Sequence, residues 1–124
     1  MEEIKRLPES ELEIMQIIWK KSAPASRVDI EQALQKTHPL APTTILTLLT
    51  RLCEKGFLSF KKEGRSNLYE PLITEKEYLA AESRSFLDRV FHGSVASFAT
   101  ALCDSGVTKE ELEELRRLLE EGGL

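Results

Sequence analysis

The stretch from Pro42 to Tyr69 constrains this chain more than any other. Pro42-Thr43-Thr44-Ile45-Leu46-Thr47-Leu48-Leu49-Thr50-Arg51-Leu52 reads as a helix that opens on proline, where a missing N–H is harmless, and stops at Lys55-Gly56. Ile45, Leu48, Leu49 and Leu52 form its inward face, while Thr43, Leu46, Thr47 and Thr50 recur at i, i+3, i+4 and i+7 on the outward one. A hairpin follows at once. Its first strand alternates, with Leu58 and Phe60 facing one way and Ser59 and Lys61 the other. Glu63-Gly64 signals the turn, Leu68 and Tyr69 are the candidate core residues of the return strand, and Pro71 closes the ribbon.

Threonine is a mediocre helix former, so propensity gives no reason to gather Thr43, Thr44, Thr47 and Thr50 on one short helix. An ordinary solvated face would use Glu and Lys. Threonine hydroxyls can bond phosphates and base edges, and the methyl can meet a thymine methyl. Such a helix fits a major groove, and a Lys/Arg-tipped ribbon beside it can reach a neighbouring phosphate or the minor groove. Leu46 is a candidate apolar base contact or a partly buried edge. Arg51, one turn beyond Thr47, suits a phosphate clamp, as do Lys61, Lys62 and Arg65 on the hairpin. This pattern is that of a winged helix.

The net charge of −4 looks wrong for a nucleic-acid partner, but it is unevenly placed. Residues 1–71 hold 11 Lys/Arg against 10 Asp/Glu, and residues 72–124 hold 6 against 11. Within 42–69 the count is 5 against 2, and local field rather than net charge governs contact with phosphates. So modest an excess predicts weak binding by one copy and a need for two.

The rest of the 124-residue chain supports the same organisation. A first helix over about Glu9–Lys20 turns Leu12, Met15, Ile18 and Trp19 to the core, with Pro8 at its start. A second, about Ala25–Lys36, buries Val28, Ile30 or Ala33, and Leu34, and ends before Pro39. The domain boundary falls near Pro71–Thr74, giving a domain over 1–72 and a helical region over 73–124. Two capping boxes, Thr74-Glu75-Lys76-Glu77 and Thr108-Lys109-Glu110-Glu111, start helices over about Glu75–His92 and Lys109–Glu121. Val95, Phe98, Ala99 and Leu102 mark a helix between them. The apolar faces of these three helices, Leu79, Phe86, Val90, Phe98, Leu102, Leu112, Leu115 and Leu119, exceed what a lone appendage can bury. They predict a homodimer interface, packing back on the first domain being the alternative. The fold class is mainly α with a small β-hairpin: a winged helix-turn-helix domain followed by a three-helix dimerisation region.

No run of about 18 apolar residues exists and the N-terminus lacks the apolar core of a signal peptide, so the expected location is cytoplasmic. Cys53 and Cys103 are far apart, lack CxxC spacing and are read as buried thiols on helices. His38 and His92 do not cluster with them, so no metal or cofactor is expected. The sequence also lacks a His-activated nucleophile and a Gly-rich phosphate loop, which argues against an enzyme.

In order and spacing, Glu11-Leu12-Glu13-Ile14-Met15-Gln16-Ile17-Ile18-Trp19, Pro42-Thr43-Thr44-Ile45, Thr47-Leu48-Leu49-Thr50-Arg51-Leu52, Lys55-Gly56-Phe57, and Gly64-Arg65 through Tyr69-Glu70-Pro71-Leu72 carry a resemblance. Over about Leu7–Leu119 the chain resembles the penicillinase repressors (BlaI/MecI, with the copper-responsive CopY branch). The resemblance implies an N-terminal winged helix, a C-terminal helical dimerisation region, and a homodimeric repressor on palindromic double-stranded DNA operators, often of β-lactam resistance genes. It also implies relief by proteolysis when a membrane sensor with a metalloprotease domain is triggered. In classical members the cut falls at an Asn-Phe bond in the first dimerisation helix. The matching bond here is Ser85-Phe86, with serine in place of asparagine. The CopY branch carries paired CxC motifs, which this sequence lacks. The alternatives are a winged-helix protein-interaction module without DNA contact, permitted by the acidic second half, and a regulator responding to a different signal without cleavage.

Overall fold

The computed structural model describes residues 3–122. Its elements run α1 (Glu9–Lys20), α2 (Arg27–Leu34), α3 (Pro42–Glu54), β1 (Leu58–Glu63), β2 (Ser66–Pro71), α4 (Glu75–Phe91), α5 (Val95–Asp104) and α6 (Lys109–Glu121). The chain divides into two compact units, Met1–Glu82 and Ser83–Leu124.

In the first unit α1, α2 and α3 pack around one aliphatic core closed by the hairpin. The inward face of α3 is as the spacing predicts: Ile45, Leu48, Leu49 and Leu52 are all buried. Each such side chain contributes about 1.5–3 kcal/mol relative to exposure. The helix ends in a Schellman motif, with the Phe57 N–H donating to Leu52 O at 2.9 Å and the Gly56 N–H to Cys53 O at 3.1 Å. That motif needs a left-handed residue, which Gly56 supplies at φ +82°.

Two core assignments need correction. On α1 the buried stripe is Glu11, Ile14, Met15 and Ile18, whereas Leu12 and Trp19 only pack against the core from its edge. On α2, Val28 is exposed, and Ile30 and Leu34 do the burying. Two positions before Ile30, Val28 lies about 200° round the helix from it. The helix also starts later than expected, because Ala25 is not helical. It pairs with Tyr69 through backbone hydrogen bonds of 3.0 and 2.8 Å, a one-residue third strand beside β2. Ser26 therefore becomes the N-cap, in a capping box with Asp29. On the hairpin, Phe60 is 55% exposed although it shares a strand face with buried Leu58, because burial along β1 ends at Leu58. The Phe60 ring meets the Tyr69 ring at a centroid distance of 6.0 Å.

The hairpin register pairs Leu58 with Pro71 and Glu63 with Ser66, leaving Gly64-Arg65 as a two-residue loop. Gly64 takes φ +62° at the first loop position, the requirement of a II′ turn. After β2 the predicted capping box forms, with Thr74 and Glu77 exchanging bonds of 2.9 and 3.1 Å. In the first turn of α4, Tyr78 is buried. Its ring sits 5.7 Å from both Trp19 and Phe57, and its hydroxyl accepts the Leu7 N–H at 3.0 Å.

The second unit is built around three phenylalanines. Phe86, Phe91 and Phe98 meet pairwise edge-to-face at 5.4–6.2 Å, joining the end of α4 to α5. The second predicted capping box, Thr108 with Glu111, starts α6. Around Arg116, ion pairs with Glu113 and Glu120 line one side of α6.

Candidate nucleic-acid interface

The face of α3 opposite the core is free of packing. Thr43, Thr44, Thr47 and Thr50 are exposed, and Leu46 is 43% exposed. Leu46 is thus a surface residue and not a buried edge. The Thr47 hydroxyl donates to Thr43 O at 3.0 Å and the Thr50 hydroxyl to Leu46 O at 2.9 Å. In that state each oxygen has its proton committed and its lone pairs outward, the arrangement that accepts from adenine or cytosine amino groups. The start of α3 differs chemically. Pro42 has no N–H, no side chain caps the helix and no acidic residue lies in its first turn. The Thr43 and Thr44 amides stand at the positive end of the helix dipole, an environment suited to an anion.

Cations flank this face. Arg51, Lys61, Lys62 and Arg65 are exposed, and none of them lies in an ion pair among the described residues. Arg65 occupies the hairpin turn itself. Successive strand residues point to opposite faces, so Lys61 and Lys62 address different sides of the ribbon. The fifth cation of the 42–69 stretch behaves otherwise: Lys55 Nζ lies 2.6 Å from Glu11 Oε1, and the Glu11 carboxylate is buried. The sequence reading missed this pair. Its signal was present, because Glu11, Ile14, Met15 and Ile18 follow i, i+3, i+4, i+7 with a carboxylate inside the apolar stripe.

The candidate interface residues of the helical region are accessible in the single chain. Leu79, Phe86, Val90, Leu115 and Leu119 are exposed, and Phe98, Leu102 and Leu112 are half-buried. Ser85 and Phe86 sit within α4, where the Ser85 hydroxyl oxygen accepts from Arg89 Nη1 at 3.2 Å. Cys103 is exposed on α5, an element with no buried residue, correcting its reading as a buried thiol. Cys53 is half-buried, and desolvation, with the nearby Glu54 carboxylate, pushes its thiol above the ordinary value. Among the described residues no helix is long and apolar enough to cross a membrane, and no three His, Cys, Asp or Glu side chains gather as a metal site would require.

Three helices closed by a basic hairpin, with a polar outward face on the third, define a winged-helix protein of the gene-regulatory type. Residues 7–121 match the penicillinase repressor family, and the chain belongs to it. That is a family of transcriptional repressors and not of enzymes. The chain is 38% identical to the penicillinase repressor of Bacillus licheniformis over 122 residues, covering 98% of this chain and 94% of that protein. It is 34% identical over 111 residues to the methicillin resistance regulatory protein MecI of Staphylococcus aureus, covering 89% of each. Among solved structures it is similar to the monomeric form of Bacillus licheniformis BlaI in complex with the blaP half-operator. There the identity is 41% and the TM-score 0.52, over 63% of this chain and 94% of that one.

Proposed function

We propose that this chain is a DNA-binding transcriptional repressor that acts as a homodimer on a palindromic operator, with α3 in the major groove. The observation that carries the reading is the outward face of α3: five side chains, Thr43, Thr44, Leu46, Thr47 and Thr50, lie outside the core and are flanked by cations that form no ion pair among the described residues. In this reading the threonines and Leu46 meet base edges or the nearest phosphates, and Arg51, Lys61, Lys62 and Arg65 hold the backbone. The half-operator complex of the Bacillus licheniformis relative supports it.

Four backbone cations give modest affinity for one half-site. A second subunit places a second reading helix at high effective concentration, so dimerisation controls occupancy. The apolar side chains of α4, α5 and α6, exposed Leu79, Phe86, Val90, Leu115 and Leu119 with half-buried Phe98, Leu102 and Leu112, supply the dimer surface in this proposal. Relief of repression follows from cutting the Ser85-Phe86 bond, in response to a membrane sensor-protease, which forfeits the second half-site. The protein works in the cytoplasm, where operator and repressor meet.

The test is a titration of the purified chain against promoter DNA of its own locus and scrambled DNA of equal length, across a salt series. Tight, salt-dependent binding of two subunits per site with a large preference for the promoter is the expected result. Equal weak binding to both DNAs would overturn the reading in favour of a protein-interaction module.

A further inference from the structure

Among the described residues Glu11 is the one buried charged side chain, 2% exposed, in the first turn and a half of α1. Its Oε1 accepts from Lys55 Nζ at 2.6 Å, a contact spanning 44 residues. Lys55 is the C-cap of α3, directly before the Gly56-Phe57 turn that closes on Leu52 and leads into β1. The pair thus fastens α1 to the point where the reading helix ends and the hairpin begins. Every other buried side chain of α3 is aliphatic: Ile45, Leu48, Leu49 and Leu52.

Stability alone gives a poor account of such a pair. Taking a carboxylate, and in part an ammonium, out of water is so unfavourable that apolar residues of similar volume in their place are often neutral or stabilising. An ion pair supplies instead a fixed point: a short charge-assisted hydrogen bond has a narrow optimum in distance and angle, whereas aliphatic contacts tolerate sliding. The geometry matters because α3 is a lever. Thirteen residues at 1.5 Å each give a rod of about 20 Å, so a swing of about 5° at Lys55 moves Thr43 by about 1.5 Å. A displacement of that size breaks a hydrogen bond to a base edge.

Resting on the DNA-binding reading above, we infer that Glu11 and Lys55 are positioning residues, which set the angle of α3 and hence its sequence discrimination. Lys55 on this view is not a phosphate ligand. Its distance from Glu11 and its partial burial commit it to the interior, and the hairpin and Arg51 supply the backbone contacts.

The experiment uses the full chain in four forms: parent, Lys55→Arg, Glu11→Gln, and the apolar double variant Glu11→Leu with Lys55→Met. For each, the urea midpoint is read by fluorescence of Trp19, the one tryptophan, and dissociation constants are measured on promoter and scrambled DNA across salt. The double variant should keep or raise the urea midpoint and keep the salt slope, while its preference for the promoter falls about tenfold. Lys55→Arg should retain both stability and preference. Glu11→Gln, read at a temperature where it is folded, should lose preference with its salt slope unchanged, which keeps the test alive if the double variant fails to fold. Parental preference in a stable double variant, or in folded Glu11→Gln, would overturn the inference. So would a salt slope shallower by about one when Lys55 is replaced by methionine, since that marks a lost phosphate contact. A parent that binds both DNAs equally would instead remove the DNA-binding reading, and this inference with it.

Discussion

The Tyr78 hydroxyl accepts the backbone N–H of Leu7 at 3.0 Å, a bond across 71 residues inside the first compact unit. It ties the segment before α1 to the first turns of α4, with Trp19 and Phe57 on either side of the ring. Trp19 adds a second tie through its indole N–H, which donates to Ile73 O at 2.9 Å. Replacing Tyr78 by Phe keeps the ring contacts but strands the Leu7 N–H in a buried setting. The expected loss is about 1–3 kcal/mol of stability, read as a lower urea midpoint of the Trp19 fluorescence transition. An unchanged midpoint would mean that water reaches Leu7.

Arg65 stands in the hairpin turn and has no acidic partner among the described residues. Arg65→Ala should weaken binding to promoter and scrambled DNA alike and reduce the salt slope by about one, as the loss of a single phosphate contact does. If affinity and slope both stay put, the hairpin takes no part in the interface.

Thr47 poses a sharper question, because its hydroxyl already donates to Thr43 O. Thr47→Ala removes lone pairs and methyl together, and should change the base preferences measured by systematic operator substitution. Thr47→Ser keeps the lone pairs and drops the methyl, so it should restore preference at amino-bearing bases but not at thymine. Identical preference profiles for all three proteins would take Thr47 out of base reading.

Much of this was legible beforehand, for local reasons. The inward and outward faces of α3 follow from a 3.6-residue period, and the Thr74 and Thr108 capping boxes from spacing alone. What escaped was long-range or chemically disguised. Ala25 leaves α2 because of a backbone partner, Tyr69, on another element, and no property of alanine announces that. Phe60 alternates correctly yet lies past the last core residue of its strand. Tyr78 has partners 21 to 71 residues away, on other elements. Glu11 was passed over because a search for apolar stripes discards carboxylates, although its position completes one.

Acid should act on the helix starts. Asp29, Glu77 and Glu111 each accept the backbone N–H of their N-cap residue, Ser26, Thr74 and Thr108, and this bond first of all holds their carboxyls below the ordinary carboxylate range. A carboxyl whose folded value is lowered binds its proton more readily in the unfolded chain. Its contribution is therefore complete above the unfolded value, about 4, and is lost as pH falls through the folded one. The urea midpoint should decline as pH drops from 5 towards 2 and less steeply in Asp29→Asn/Glu77→Gln/Glu111→Gln, whose amides still cap but do not titrate there. Parallel pH profiles would place the acid sensitivity elsewhere.

Ser85-Phe86, the bond proposed for proteolytic relief, lies inside α4, and Phe86 is held edge-to-face by Phe91 and Phe98. Proteases bind extended backbone, so cleavage there requires local opening of the helix, and its rate follows the open population. Each ring contact is worth about 0.5–1.5 kcal/mol beyond area burial. Replacing Phe98 by Ala leaves the residues of the bond intact but removes one partner of Phe86, and should speed cutting at Ser85-Phe86 several-fold by a nonspecific endoprotease of broad specificity. Mass mapping of the fragments reads the site directly. If the bond is cut no faster in Phe98→Ala than in the parent, while the variant stays folded by circular dichroism, the phenylalanine cluster does not guard it. Relief of repression would then need a different point of attack in the helical region.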